Sequence, residues 1–164
     1  MGFVSQPDDS VIYFRIFERR IKIHCEDDLF SGLLLANYQA MQVSAGQVEL
    51  EYRVERHAEQ DFSIFQGEET VVQETGSEAP EYFFVYLSEK LLTLELQSQR
   101  TDLYFVHASV LERGGRAIMI IAESGTGKST TSWALLQHGF HYLSDELAPI
   151  DPHALTVLPY PHAL

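Results

Sequence analysis

Ala122-Glu-Ser-Gly-Thr-Gly-Lys-Ser-Thr130 decides how this chain is read. It fits the relaxed phosphate-loop pattern, Ala or Gly, four residues, then Gly-Lys-Ser, with Ala122 where a first glycine is usual. Ahead of it Ala117-Ile-Met-Ile-Ile121 is wholly apolar, which predicts a buried parallel strand. Behind it Thr130 to His138, stopped by Gly139, predicts a helix. A strand, a glycine loop and a helix in that order give the motif its mechanism. Gly125 and Gly127 can turn successive N–H groups inward around a phosphate, and the helix aims its positive end at the same point. The candidate nucleotide site is therefore Glu123, Ser124, Gly125, Thr126, Gly127, Lys128, Ser129 and Thr130. Lys128 would reach the outer phosphates of ATP, and the Ser129 hydroxyl would ligate its Mg²⁺.

The chain on either side supplies partners. Leu103 to Leu111 reads as one strand. Arg113-Gly114-Gly115-Arg116 reads as a glycine-pair hairpin, which lays that strand antiparallel beside the loop strand and places His107 either near the nucleotide's far end or, as a lone histidine among Tyr104, Phe105 and Val106, in the core with a hydrogen-bond partner. Phe140 to Ser144 is a further strand, ended by Asp145-Glu146. An adjacent strand would deliver both carboxylates to the mouth of the loop, suited to Mg²⁺ and to proton removal from a hydroxyl; the alternative is a turn-forming acidic pair on the surface.

The remainder is mainly β. Val11–Phe17 and Ile21–His24 read as strands, and Asp27-Asp28 as the cap of a helix over 29–41. Residues 48–54, 61–65 and 69–72 read as strands, with a turn at Gln66-Gly67-Glu68. Ten acidic residues between Glu49 and Glu81 face Arg53 and Arg56, either as the solvated face of an antiparallel sheet or as a docking surface for a basic peptide. After the loop at 74–80, Tyr82 to Gln99 reads as a helix. The predicted division is 1–80, a mainly β portion, and 81–164, the phosphate-loop core.

An apolar fraction of 45% allows a real core in 164 residues. No run is long enough to span a membrane, and no signal peptide is visible. Cys25 stands alone, which excludes a disulfide framework and fits a reducing cytoplasm. A formal charge of −13 argues against a nucleic-acid partner. His24, His57, His138, His141, His153 and His162 show no metal-ligand spacing.

His107-Ala108, the glycine loop, Gly139 and Ser144-Asp145-Glu146, with Leu143 to Ile150 and Pro159-Tyr-Pro161, resemble the bacterial HPr kinase/phosphorylase family over residues 103–162. They are still more similar to related kinases encoded with peptide-modification enzymes, including those that phosphorylate lasso-peptide precursors. The resemblance implies an ATP- and Mg²⁺-dependent serine kinase on the α/β fold shared with phosphoenolpyruvate carboxykinase. It also implies a peptide or small-protein acceptor and a homo-oligomer. It matches Asp145 to the general base and His107 to the histidine approaching the transferred phosphate. Glu146 stands where the HPr kinases have aspartate, and with Ser129 it is the candidate metal ligand. The family's domain continues with further strands, a metal-binding Glu and a basic residue, so the C-terminal part of that domain is expected to be absent from this chain. Two readings remain: a serine kinase, or a nucleotide-binding or regulatory module without transferase activity. An ordinary phosphate-loop NTPase is a third.

Overall fold

Alternation of apolar and polar residues builds a five-stranded sheet from the first half of the chain. The computed structural model describes residues 10–123 and 125–162. Strands β1 (Val11–Ile16), β2 (Arg19–Cys25), β3 (Leu50–Ala58), β4 (Asp61–Gln66) and β5 (Glu69–Glu74) lie side by side in chain order. Helix α1 (Asp28–Tyr38) carries the chain from β2 to β3, which makes that pair parallel while its neighbours are antiparallel. Asp27 caps α1 by accepting from the Phe30 N–H at 2.9 Å. Phe30, Leu34 and Tyr38, four apart, put one stripe of α1 into the core. Helix α2 (Pro80–Gln99) adds Phe84, stacked on Phe30 at 4.1 Å, with Phe62 edge-on to both rings.

The acidic face is partly neutralised by the sheet itself. Leu50, Tyr52 and Val54 are buried and Glu51 is exposed, as strand alternation requires. The parallel pairing sets Lys22 opposite Glu51, and their side chains meet at 2.6 Å. Arg53 pairs with Glu55, and Arg56 reaches Asp27 and Glu81 at 3.5 Å each. Lys22 is a cation that counting charge along the local sequence leaves out.

The chain divides into two compact units, residues 1–93 and 94–164. The division falls within α2 rather than at 80/81, because Phe84 ties the start of that helix to the first unit's aromatic core. No described helix is long and apolar enough to cross a membrane.

The second unit holds two three-stranded antiparallel sheets. One has the order β8 (Arg116–Ile120), β7 (Ser109–Arg113), β9 (His141–Ser144); the other has β11 (Thr156–Val157), β10 (Ala148–Asp151), β6 (Tyr104–Val106). Helix α3 (Lys128–Leu136) follows the glycine loop, and Gly139 at φ +80° closes its C-terminus. The single strand expected over 103–111 is broken at His107-Ala108, and β9 and β10 are likewise separated by 145–147. Val106 pairs with Ala148, and Val110 with Ser144. The register is the same on both sides of the gap, so β6–β7 and β10–β9 form one antiparallel ribbon opened in the middle. Ala108, Val110 and Ala148 are fully buried beneath the opening.

The buried parallel strand expected before the loop is a different object. β8 is an edge strand, antiparallel to β7, with Ile118, Met119 and Ile121 beside it exposed. An apolar run reports the tendency to be covered, but the sheet order decides whether a strand is covered.

Candidate functional site

The glycine loop joins β8 to α3 in backbone conformations that side chains disfavour. Gly125 has φ +79° and Gly127, the N-cap of α3, φ +95°. Thr126 donates to the Glu123 carbonyl from its hydroxyl at 2.6 Å and its N–H at 3.4 Å, and Lys128 Nζ donates to the Ala122 carbonyl at 3.0 Å. Gly127 makes no side-chain cap, so the first N–H groups of α3 face the site without one.

The acidic turn follows β9. The buried Ser144 hydroxyl donates to the Leu147 carbonyl at 2.5 Å and accepts from its N–H at 3.2 Å, tying off a turn that holds Asp145 and Glu146. Asp145 Oδ2 accepts from the Ser129 hydroxyl at 2.6 Å. Asp145 Oδ1 is buried and has no hydrogen-bond partner among the described residues. In the opened ribbon His107 Nδ1 lies 3.4 Å from Glu146 Oε2, both side chains more than half exposed.

These groups surround one cavity of about 330 Å³, lined by His107, Gly125, Gly127, Lys128, Ser129, Thr130, Asp145 and Glu146. Of the residues predicted for the site, Glu123 and Thr126 lie outside that lining and shape the loop instead. Ser124 lies outside the described residues. The carboxylates do not arrive on a strand adjacent to β8; β7 lies between, and the turn after β9 reaches across to α3. A larger cleft of about 400 Å³ in the first unit includes Arg53 and Arg56, but both already pair with carboxylates, and no glycine loop lines it.

Sequence reasoning gave no role to three serines, of which only Ser144 had been quoted, within the motif Ser144-Asp145-Glu146. Ser109, Ser132 and Ser144 are fully buried and lie directly beneath the site. Ser132 follows Lys128 by one helical turn, and Ser144 immediately precedes Asp145, spacings that were legible. Tyr142 was missed too: burial first, and then the Asp145 and Glu146 carboxylates, push its phenol well above the ordinary value, and it donates to the His162 carbonyl at 3.0 Å.

A single ammonium, Lys128, faces two carboxylates in this cavity, so a polyphosphate there would need a cation to separate like charges. Mg²⁺ characteristically takes one or two protein carboxylates together with phosphate and water. The unpartnered Asp145 Oδ1 beside the Ser129 hydroxyl fits such an ion.

Over 74 residues the chain is 28% identical to the HPr kinase/phosphorylase of Malacoplasma penetrans (strain HF-2). The match takes in 45% of this chain and 22% of that protein, so the chain spans about a fifth of its relative's length. No family model matches the chain. No solved structure matches it either. The relationship is a distant HPr kinase-like one.

Proposed function

We propose that residues 94–164 form a phosphate-loop core of the HPr kinase type, which binds Mg-ATP and passes its terminal phosphoryl group to a serine of a peptide or small protein. The observation that carries this reading is the 2.6 Å bond from Ser129 to Asp145, which sets a carboxylate at the start of the helix that bears Lys128. The N–H groups from Gly125 to Thr130 receive the phosphates. Lys128 exchanges a neutral carbonyl for a charged phosphate oxygen, a stronger acceptor. Bound Mg²⁺ would neutralise charge developing on the transferred group. Asp145 accepts the proton of the serine hydroxyl as it attacks, and His107 and Glu146 border the space where the two substrates meet.

Calorimetry and label transfer test this. Lys128→Ala should weaken Mg-ATP binding roughly 10- to 100-fold, the loss of one charged hydrogen bond. Asp145→Asn should cut transfer by roughly 10² to 10⁴ and raise the Mg²⁺ requirement, with little change in metal-free ATP affinity. Unimpaired transfer by Asp145→Asn would remove Asp145 from the role of base. A second reading is nucleotide binding without transfer. It predicts affinity for Mg-ATP with no labelled product from any basic or serine-containing peptide.

A further inference from the structure

Beneath the cavity, three buried hydroxyls connect its two halves. Ser132 of α3 donates toward the Lys128 carbonyl at 3.1 Å. Its Oγ lies 2.5 Å from Ser109 Oγ on β7. Ser109 in turn is within 3.3 Å of the Ser144 carbonyl, and the Ser144 hydroxyl ties off the Asp145–Glu146 turn. All three serines are 0% exposed. An apolar side chain at any of these positions would pack as well, so hydroxyls need a reason to be there.

We propose that Ser109 and Ser132 are positioning residues that lock the nucleotide-binding end of α3 to the acidic turn, so that Lys128 and Ser129 keep their register with Asp145. This rests on the phosphoryl-transfer reading of the site. Each hydroxyl has one proton, so the contacts to Lys128 and Ser144 cannot both be made while the serines also bond to each other. When Ser109 donates to Ser132, Ser132 grips the helix; when Ser132 donates to Ser109, Ser109 grips the strand end before the acidic turn. The serine–serine bond survives in both arrangements, and the choice of proton direction decides which half of the site is held more firmly. Alanine at either position breaks the link.

Amide hydrogen exchange on the chain without nucleotide tests the link. In Ser132→Ala, the amides of 145–147 should exchange at least about tenfold faster although Ser132 lies on another element. Acceleration confined to α3 overturns the proposal. Ser109→Ala/Ser132→Ala leaves neither serine stranded, so it keeps the test open if a single variant fails to fold. The double variant should match the single in the 145–147 segment; a segment as protected as in the parent chain overturns the link. A Mg²⁺ titration at fixed ATP then reads the consequence. Ser132→Ala should raise the Mg²⁺ requirement about tenfold and change metal-free ATP affinity by less than about twofold, a split that general loss of stability would not produce. Equal losses in both overturn the positioning role. If the parent chain binds no Mg-ATP, the phosphoryl-transfer reading falls and the positioning role with it, while the exchange data still report whether the link exists.

Discussion

Cys25 illustrates how burial can dominate a residue's chemistry. It lies in the core of the first unit, where burial pushes its thiol from 9.0 to about 11. Folding therefore favours the neutral thiol, and the stability that this contributes is present below pH 9 and lost as pH rises through about 11. Tyr142 is shifted in the same direction and adds to the same alkaline loss. Urea midpoints measured between pH 9 and 11 should fall for the parent chain and fall less steeply for Cys25→Ala. In the site the residue-level lesson is different. Lys128, Ser129, Asp145 and Glu146 were legible as types at a spacing and His107 through the family resemblance, and the structure brings all five to one cavity. Ser109 and Ser132 were not singled out, and Ser144 was quoted without a role, because a buried serine looks like any other serine until its neighbours are known.

At the scale of elements, caps and turns carry testable weight. Asp27→Ala removes the bond to Phe30 N and should cost about 1 kcal/mol, a fall of ~2–4 °C in the thermal midpoint. Gly127→Ala meets no atom within 4 Å, so its cost is the left-handed backbone alone, about 1–2 kcal/mol. Because that glycine starts α3, the same change should also weaken Mg-ATP binding about tenfold by calorimetry. Legibility varied with local chemistry. Gly114 and Gly115, both at positive φ, announced the β7–β8 hairpin. The β1–β2 hairpin turns on Phe17 and Glu18, also at positive φ, with no glycine to signal it; the burial of Phe17 holds that turn instead. The break at His107 was passed over because strand formers flank it on both sides, Tyr104 to Val106 and Val110-Leu111, and only the pairing shows where the ladder stops.

On the scale of the molecule, the edge strand is the prominent feature. Ile118, Met119 and Ile121 at β8 and Trp133 of α3 are exposed, and β8 stands at the end of its sheet. The isolated chain should therefore self-associate as its concentration rises, and Ile118→Lys should reduce that association in sedimentation velocity. The chain's own amino acids determined the loop, the caps, the alternating faces and the set of groups able to handle a phosphate, since each depends on neighbours within a few residues. Tertiary structure alone decided that β8 lies at an edge, that Lys22 answers Glu51, and that one ribbon opens to set His107 against Glu146. Those outcomes depend on which distant strands pair, and pairing is a competition among the whole chain's surfaces that no local pattern encodes.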